Sequence, residues 1–96
     1  MDITSINFKD IFFDIVICNH VFEHIQDDIK AMSEILRVLE KGGLAILQVP
    51  IDENLLETFE DDTVISPKER KKAFGQSDHV RQYSNDYAER LKKRWL

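Results

Sequence analysis

The feature that most constrains the fold is a pair of apolar runs on either side of a segment with helical periodicity. The first run, Phe12-Phe13-Asp14-Ile15-Val16-Ile17-Cys18, is rich in β-branched residues, as expected of a strand covered on both faces. The second run, Leu44 to Val49, is closed by Pro50, which cannot donate to a β-ladder. These runs predict parallel strands at residues 12–19 and 44–50.

Between the two runs, apolar residues recur at three- and four-residue steps and so lie on one helical stripe. They are Ile29, Met32, Ile35, Leu36 and Leu39. Asp27 suits a helix N-cap, and Gly42-Gly43 suits the left-handed stop of a helix, so a helix is predicted at residues 27–40. A strand, a helix and a strand in this order form a right-handed βαβ crossover, which makes the fold class α/β.

The rest of the chain carries two further helix signals. Ser66-Pro67-Lys68-Glu69 is a capping box with proline at the first helical position, and Gly75 ends the segment, which predicts a helix at residues 66–74. Ser84 opens a last predicted helix at residues 84–95, in which Tyr87, Leu91 and Trp95 share a face and basic residues crowd the end. The acidic stretch from residue 51 to 63 reads as a partly ordered excursion.

Length and charge limit the function classes. A chain of 96 residues allows one small domain, residues 1–96. A net charge of -5 argues against a nucleic-acid partner, and no apolar stretch approaches the roughly 20 residues that span a bilayer, so we expect no membrane partner. Cys18 cannot form an intrachain disulfide because it is the single cysteine, which fits a reducing cytoplasm.

His20-Val21-Phe22-Glu23-His24 matches the H-x-x-E-H pattern of inverted zinc proteases. In those enzymes the two histidines share one helix, whereas His20 follows a predicted strand and the helical period begins only near Asp27. His79 and Asp78 would complete a ligand set only if the fold brought them close. We therefore predict no metal site and keep a zinc hydrolase as a distant alternative.

The stretch "DITSINFKDIFFDIVICNHVFEHIQDDIKAMSEILRVLEKGGLAILQVP" resembles the second half of a class I S-adenosylmethionine-dependent methyltransferase of type 11. Features of that family occur here in order and at its spacing: Asp2, Phe13-Asp14, Glu23-His24, Arg37-Val38-Leu39, Gly42-Gly43 and Pro50. The segment from Phe74 to Leu91 resembles the family more loosely. The resemblance implies a partial Rossmann-like fold that transfers a methyl group from S-adenosylmethionine to a small molecule.

The resemblance also implies roles for single residues. Asp2 would receive the adenine amino group, with Ile3 beside the ring, and the loop of Asn19, His20 and Val21 would pass the methionine end of the cofactor. Four further residues would face the substrate: Glu23, His24, His79 and Arg81. The alternatives are an ordinary strand-to-helix turn at Asn19-His20 and a surface ion pair of Asp78 with Arg81, beside a packed Tyr83. Catalytic residues are not assigned, since methyl transfer from a sulfonium needs mainly proximity and orientation.

The family's glycine-rich cofactor turn has no counterpart, because Gly42, Gly43 and Gly75 are the three glycines of the sequence. We therefore expect a truncated portion of a methyltransferase domain that neither binds S-adenosylmethionine measurably nor is active alone. Two strands with apolar faces and open edges also predict association, as a homodimer or with a missing N-terminal half. The alternative function is a non-catalytic, oligomeric α/β association module.

Overall fold

The computed structural model describes the backbone of residues 2–95 and the side chains of residues 2–92. Its elements are β1 (Phe13–Asn19), a 3₁₀ turn (Phe22–His24), α1 (Asp28–Val38), β2 (Leu39–Gln48), β3 (Phe59–Glu60), α2 (Pro67–Phe74), β4 (Arg81–Gln82) and α3 (Tyr87–Trp95). β1 pairs with β2 in parallel and β3 pairs with β4 antiparallel. The predicted α/β class and βαβ unit are confirmed. The predicted packing of Trp95 and the basic side chains after Lys92 fall outside the described side chains.

The helix of the βαβ unit begins as predicted and ends earlier. Asp27 caps α1, since its carboxylate accepts a hydrogen bond from the backbone N–H of Lys30 at 3.0 Å. α1 ends at Val38 rather than at residue 40, and Leu39 is already extended. The reason is that Ile11 and Phe12 donate their N–H groups to the carbonyls of Arg37 and Val38, which satisfies the last turn without a glycine cap.

The glycine pair lies inside β2 instead of closing the helix. Phe13 pairs with Leu39 and Ile15 with Leu44, so residues 40–43 form an excursion opposite a single residue of β1. Gly42 has a φ of 81°, and a Cβ on Gly43 would lie 2.9 Å from the Asp14 carbonyl oxygen. Beyond this excursion the pairing is regular, and the strand ends at Gln48 rather than at residue 50.

The two C-terminal helices differ in how well the sequence predicts them. Ser66 accepts a hydrogen bond from the Glu69 N–H, and Gly75 takes the left-handed conformation, so the predicted capping of α2 is confirmed. α3 begins at Tyr87 and not at residue 84. Ser84 is buried, and its hydroxyl donates to the Leu55 carbonyl, which ties down the acidic segment instead of capping a helix. Thr58 also bonds Asp86, so that segment is anchored rather than free.

The core lies on one face of the β1–β2 pair. Buried residues of α1, the end of β1 and the 3₁₀ turn pack there with the residue that follows β4: Cys18, Phe22, Ala31, Met32, Ile35 and Tyr83. The opposite face carries Ile15, Ile17, Leu44 and Ile46, which are 54%, 63%, 56% and 38% exposed. The expectation that both strand faces are covered therefore fails within residues 2–95. Among the described helices none has the length and apolar character needed to cross a membrane.

The uncovered sheet face predicts self-association or association with a partner. Light scattering on the purified chain should show a mass above that of one copy, and Ile15→Lys should lower that mass by placing a charge on the face. Leu56→Lys is the matched control, because Leu56 is 101% exposed and belongs to neither β1 nor β2. A wild-type chain that stays monomeric at high concentration contradicts this prediction.

Candidate functional site

The predicted site residues surround the turn that leaves β1. β1 ends at Asn19, and His20 donates its N–H to the Gln48 carbonyl at 2.7 Å. His20 has a φ of 57°, a left-handed conformation that few non-glycine residues adopt and that costs on the order of 1–3 kcal/mol. This sharp reversal precedes the 3₁₀ turn that contains Glu23 and His24.

An apolar cavity of about 520 Å³ lies on one side of this turn. Ile3, Asn19 and Val21 line it together with apolar side chains of β1 and α1. The structure thus brings together three of the five predicted cofactor-binding residues. Asp2 and His20 are exposed and lie outside the lining.

Asp2 is adjacent in sequence to Ile3, which lines this cavity. Its Oδ1 accepts hydrogen bonds from the Thr4 N–H and hydroxyl at 2.9 and 2.6 Å, and these bonds lower the pKa of the Asp2 carboxyl. The group is thus an exposed carboxylate, able to accept a further N–H.

A second cavity of about 280 Å³ lies on the other side of the turn. Glu23, His79 and Arg81 are part of its lining, beside Pro50 and Phe74. The fourth predicted substrate-facing residue, His24, packs its ring edge-on against His79, with ring centroids 4.6 Å apart. All four residues therefore lie in one region, although 55 residues of chain separate His24 from His79.

Arg81 is a buried anchor. It is 1% exposed, and its guanidinium donates to the carbonyls of Phe22, Ile25 and Gln26 and to the Glu60 carboxylate. The proposed surface pair with Asp78 is therefore wrong; the Asp78 carboxylate lies 3.4 Å from Nδ1 of His24 instead. By satisfying three carbonyls of the 3₁₀ turn and its exit, Arg81 fixes where Glu23 and His24 stand.

A buried carboxylate, Asp28, lies 3.7 Å from the Arg81 guanidinium and forms an ionic cluster with it. It accepts hydrogen bonds from the Tyr83 hydroxyl and from Nε and Nη2 of Arg90, at 2.8 and 2.9 Å for the arginine. Burial opposes ionisation of Asp28, but the bonds from Arg90 and Tyr83 outweigh it and lower its pKa. Burial and the Asp28 carboxylate raise the pKa of Tyr83, so the phenol stays neutral and neither group serves as a base near pH 7.

Sequence reasoning missed Asp28, Tyr83 and Arg90 as a cluster. Each residue type is ordinary in its own helix or strand, and Asp28 lies 55 residues from Tyr83 and 62 from Arg90 along the chain. A charged residue at the first position of a helix also has a sufficient local explanation in the helix dipole. No spacing within one element could have identified the contact.

Cys18 carries no nucleophilic role. Burial, with a contribution from Glu23, raises the pKa of its thiol to about 11. The expectation of a buried, inert thiol agrees with this position in the core.

Part of the sequence matches a known family, and the fold matches solved structures. Residues 1–47 match the family described as "Methyltransferase domain". Two solved structures share the fold over nearly the whole chain, each with a TM-score of 0.67. One is a protein of Bacillus halodurans provisionally assigned as a methyltransferase, at 26% identity, and the other is the 4+2 cyclase SpnF, at 20% identity. No curated protein matches the sequence significantly.

The two structural matches include nearly all of this chain but less than half of each matched protein. The comparison covers 98% and 99% of this chain, but only 38% of the Bacillus protein and 29% of SpnF. The chain therefore corresponds to between about a quarter and two fifths of those folds.

Replacing Arg81 with methionine should destabilise the chain strongly. The substitution leaves the carbonyls of Phe22, Ile25 and Gln26 without their donor and removes a positive charge 3.7 Å from the Asp28 carboxylate. Loss of one partner of a buried ion pair costs about 3–5 kcal/mol. Lys92→Met is the control, because the Lys92–Glu89 pair is exposed and contributes about 1 kcal/mol or less. Denaturant unfolding measures both, and equal losses for the two variants would contradict the anchor role.

The low pKa of Asp28 predicts how its contribution depends on pH. Because folding lowers this pKa below 3.8, the stabilisation is fully present above that value and is lost as pH falls through the folded pKa. The difference in unfolding free energy between wild type and Asp28→Asn should therefore be constant near neutrality and shrink below pH 3.8. Asp61→Asn, at an exposed carboxylate, should show a small difference throughout. A difference for Asp28→Asn that persists undiminished in acid would contradict this assignment.

Proposed function

We propose that the chain is a portion of an S-adenosylmethionine-dependent methyltransferase that acts on a small molecule. The match of residues 1–47 to the methyltransferase-domain family and the fold shared with part of the Bacillus protein support this proposal. The observation that carries this proposal is the turn after β1. There the family match coincides with two cavities that gather most of the residues the resemblance assigns to cofactor and substrate.

On the cofactor side, Ile3, Asn19 and Val21 would contact the cofactor and Asp2 would accept the adenine amino group. The residues fit this role chemically. An apolar cavity of about 520 Å³ suits the flat adenine ring, and the exposed Asp2 carboxylate suits the N–H donor of its amino group. When bound, S-adenosylmethionine supplies an activated methyl group. His20, held in a left-handed turn, would direct the neighbouring backbone toward that cofactor.

On the acceptor side, the cavity of about 280 Å³ supports a small-molecule substrate, since it is near the lower end of ligand pockets. Glu23, His24 and His79 would face the acceptor, while Arg81 would act as a positioning residue through the 3₁₀ turn. In the reaction, these residues would hold and orient the acceptor, because methyl transfer depends chiefly on the alignment of the acceptor with the methyl donor. The cyclase among the structural neighbours is a reminder that the fold alone does not fix the reaction.

We further propose that activity requires the rest of the fold. The apolar face of Ile15, Ile17, Leu44 and Ile46 is uncovered within residues 2–95, and further methyltransferase elements or a second copy of the chain would bury it. The same face favours the second candidate, a non-catalytic oligomeric module. A net charge of -5 supports a partner other than nucleic acid, and a reducing cytoplasm remains our expectation for its location.

Titration calorimetry with S-adenosylmethionine tests this proposal on the chain alone and on the chain combined with the product of the adjoining reading frame. We expect no measurable heat from the chain alone and binding in the combined sample. A dissociation constant near about 1 µM for the chain alone would contradict the need for a completed fold. An adjoining frame without a strand followed by a glycine-rich turn would favour the association module.

In the combined sample, Asp2→Asn should weaken binding by on the order of 10- to 100-fold, the range for a hydrogen bond to a charged group. Glu53→Gln is the matched control, since it neutralises an exposed carboxylate that lines neither cavity and should leave the affinity unchanged. Equal effects of the two substitutions would show that only overall charge matters.

A further inference from the structure

We propose that Glu23, His24 and His79 form a zinc-binding site with one open coordination position. One ligand atom from each residue lies within 4.8 Å of the ligand atoms of the other two. Two histidines and a glutamate are a ligand set that zinc accepts in sites that keep a fourth position for water or substrate. The proposal concerns these three side chains alone and does not depend on methyl transfer.

Little rearrangement separates the present positions from coordination. Zinc bonds of about 2.0–2.1 Å place tetrahedral nitrogen and oxygen ligands roughly 3.3–3.4 Å apart. The observed separations exceed this by about 1.5 Å at most. The proposal requires the histidine rings to move by about this much, and both have room to do so, since His24 is 34% exposed and His79 is half-buried.

The buried carboxylate of Glu23 supplies an independent indication of a ligand. Its side chain is 3% exposed, and Oε1 has no hydrogen-bond partner among the described residues. The other oxygen, Oε2, lies 3.9 Å from Nδ1 of His20. A buried oxygen of this kind costs free energy unless something satisfies it, and a cation at the two histidines would do so.

The surroundings also prepare His24 to bind. Its Nδ1 lies 3.1 Å from the Asp78 carbonyl oxygen, and because a carbonyl can only accept, Nδ1 carries the proton. In the tautomer that makes this bond, Nε2 keeps its lone pair for a metal. Metal-ligating histidines commonly donate their other N–H to a carbonyl or carboxylate in this way.

The open position would face the cavity of about 280 Å³, which Glu23 and His79 both line. This site differs from the H-x-x-E-H reading of the sequence. His20 is 63% exposed and belongs to no metal-binding group within residues 2–92. The third ligand comes instead from His79, which the packing of β4 against the 3₁₀ turn carries to His24.

Calorimetry with Zn²⁺ alone on the purified chain tests this site. We expect one ion per chain, with a dissociation constant of about 10 µM or tighter. Mg²⁺ should not compete, because it prefers an all-oxygen shell. Absence of Zn²⁺ binding, or binding that Mg²⁺ displaces, would overturn the proposal.

Single substitutions distinguish this site from the H-x-x-E-H set that includes His20. His79→Gln and Glu23→Gln should each weaken Zn²⁺ binding by more than about tenfold. His20→Ala should change it less than about twofold, which is within the error of such comparisons. Loss of Zn²⁺ binding in His20→Ala with retention in His79→Gln would overturn the assignment in favour of the H-x-x-E-H set.

Co²⁺ provides a second readout that does not rely on affinity. Bound to wild type, it should give the visible absorption of a four-coordinate ion, and His79→Gln should lose that spectrum. Circular dichroism checks that each variant is folded, and if Glu23→Gln is not, His79→Gln alone decides. An unchanged Co²⁺ spectrum in folded His79→Gln would refute the role of this histidine.

Discussion

The rest of the structure depends on one buried ionic cluster. Asp28 at the start of α1 binds Tyr83 and Arg90, and Arg81 beside it holds the carbonyls of the 3₁₀ turn. These contacts join the C-terminal segment to the βαβ unit, and few other polar contacts in residues 2–92 link the two so deeply. Removing one partner would leave a buried charge uncompensated, which is more costly than the net worth of the pair.

Arg81 holds the turn that both cavities border. Both open beside a single short turn, one toward β1 and the N-terminal segment and one toward β4 and α2. Because Arg81 binds the carbonyls of the turn, it fixes the backbone position of Glu23 and His24. A donor and an acceptor bound in the two cavities would be aligned by the same piece of backbone, which is what a transfer reaction requires.

The sequence predicts the βαβ unit and the capping of α2 because these rest on local patterns: apolar runs, helical period, and the Ser66–Glu69 box. It misplaces the end of α1 because the carbonyls there are satisfied by Ile11 and Phe12, residues distant in sequence. It misses the partnership of Asp28 with Arg90 for the same reason. The family resemblance named six residues that line the two cavities, and their roles there stay predictions. It did not indicate that the Arg81 guanidinium binds backbone carbonyls or that His79 lies against His24.

The excursion at residues 40–43 has a consequence for the whole sheet. It places five steps of β2 opposite two steps of β1, an odd surplus of three residues. Side chains alternate along a strand, so this surplus sets which face Ala45 and Leu47 occupy, and it turns Leu44 and Ile46 to the outside. The length of the excursion therefore determines which side chains of β2 face α1 and which face away. Its residue types can vary within the limits of the two glycines, but its length decides which half of the strand faces α1.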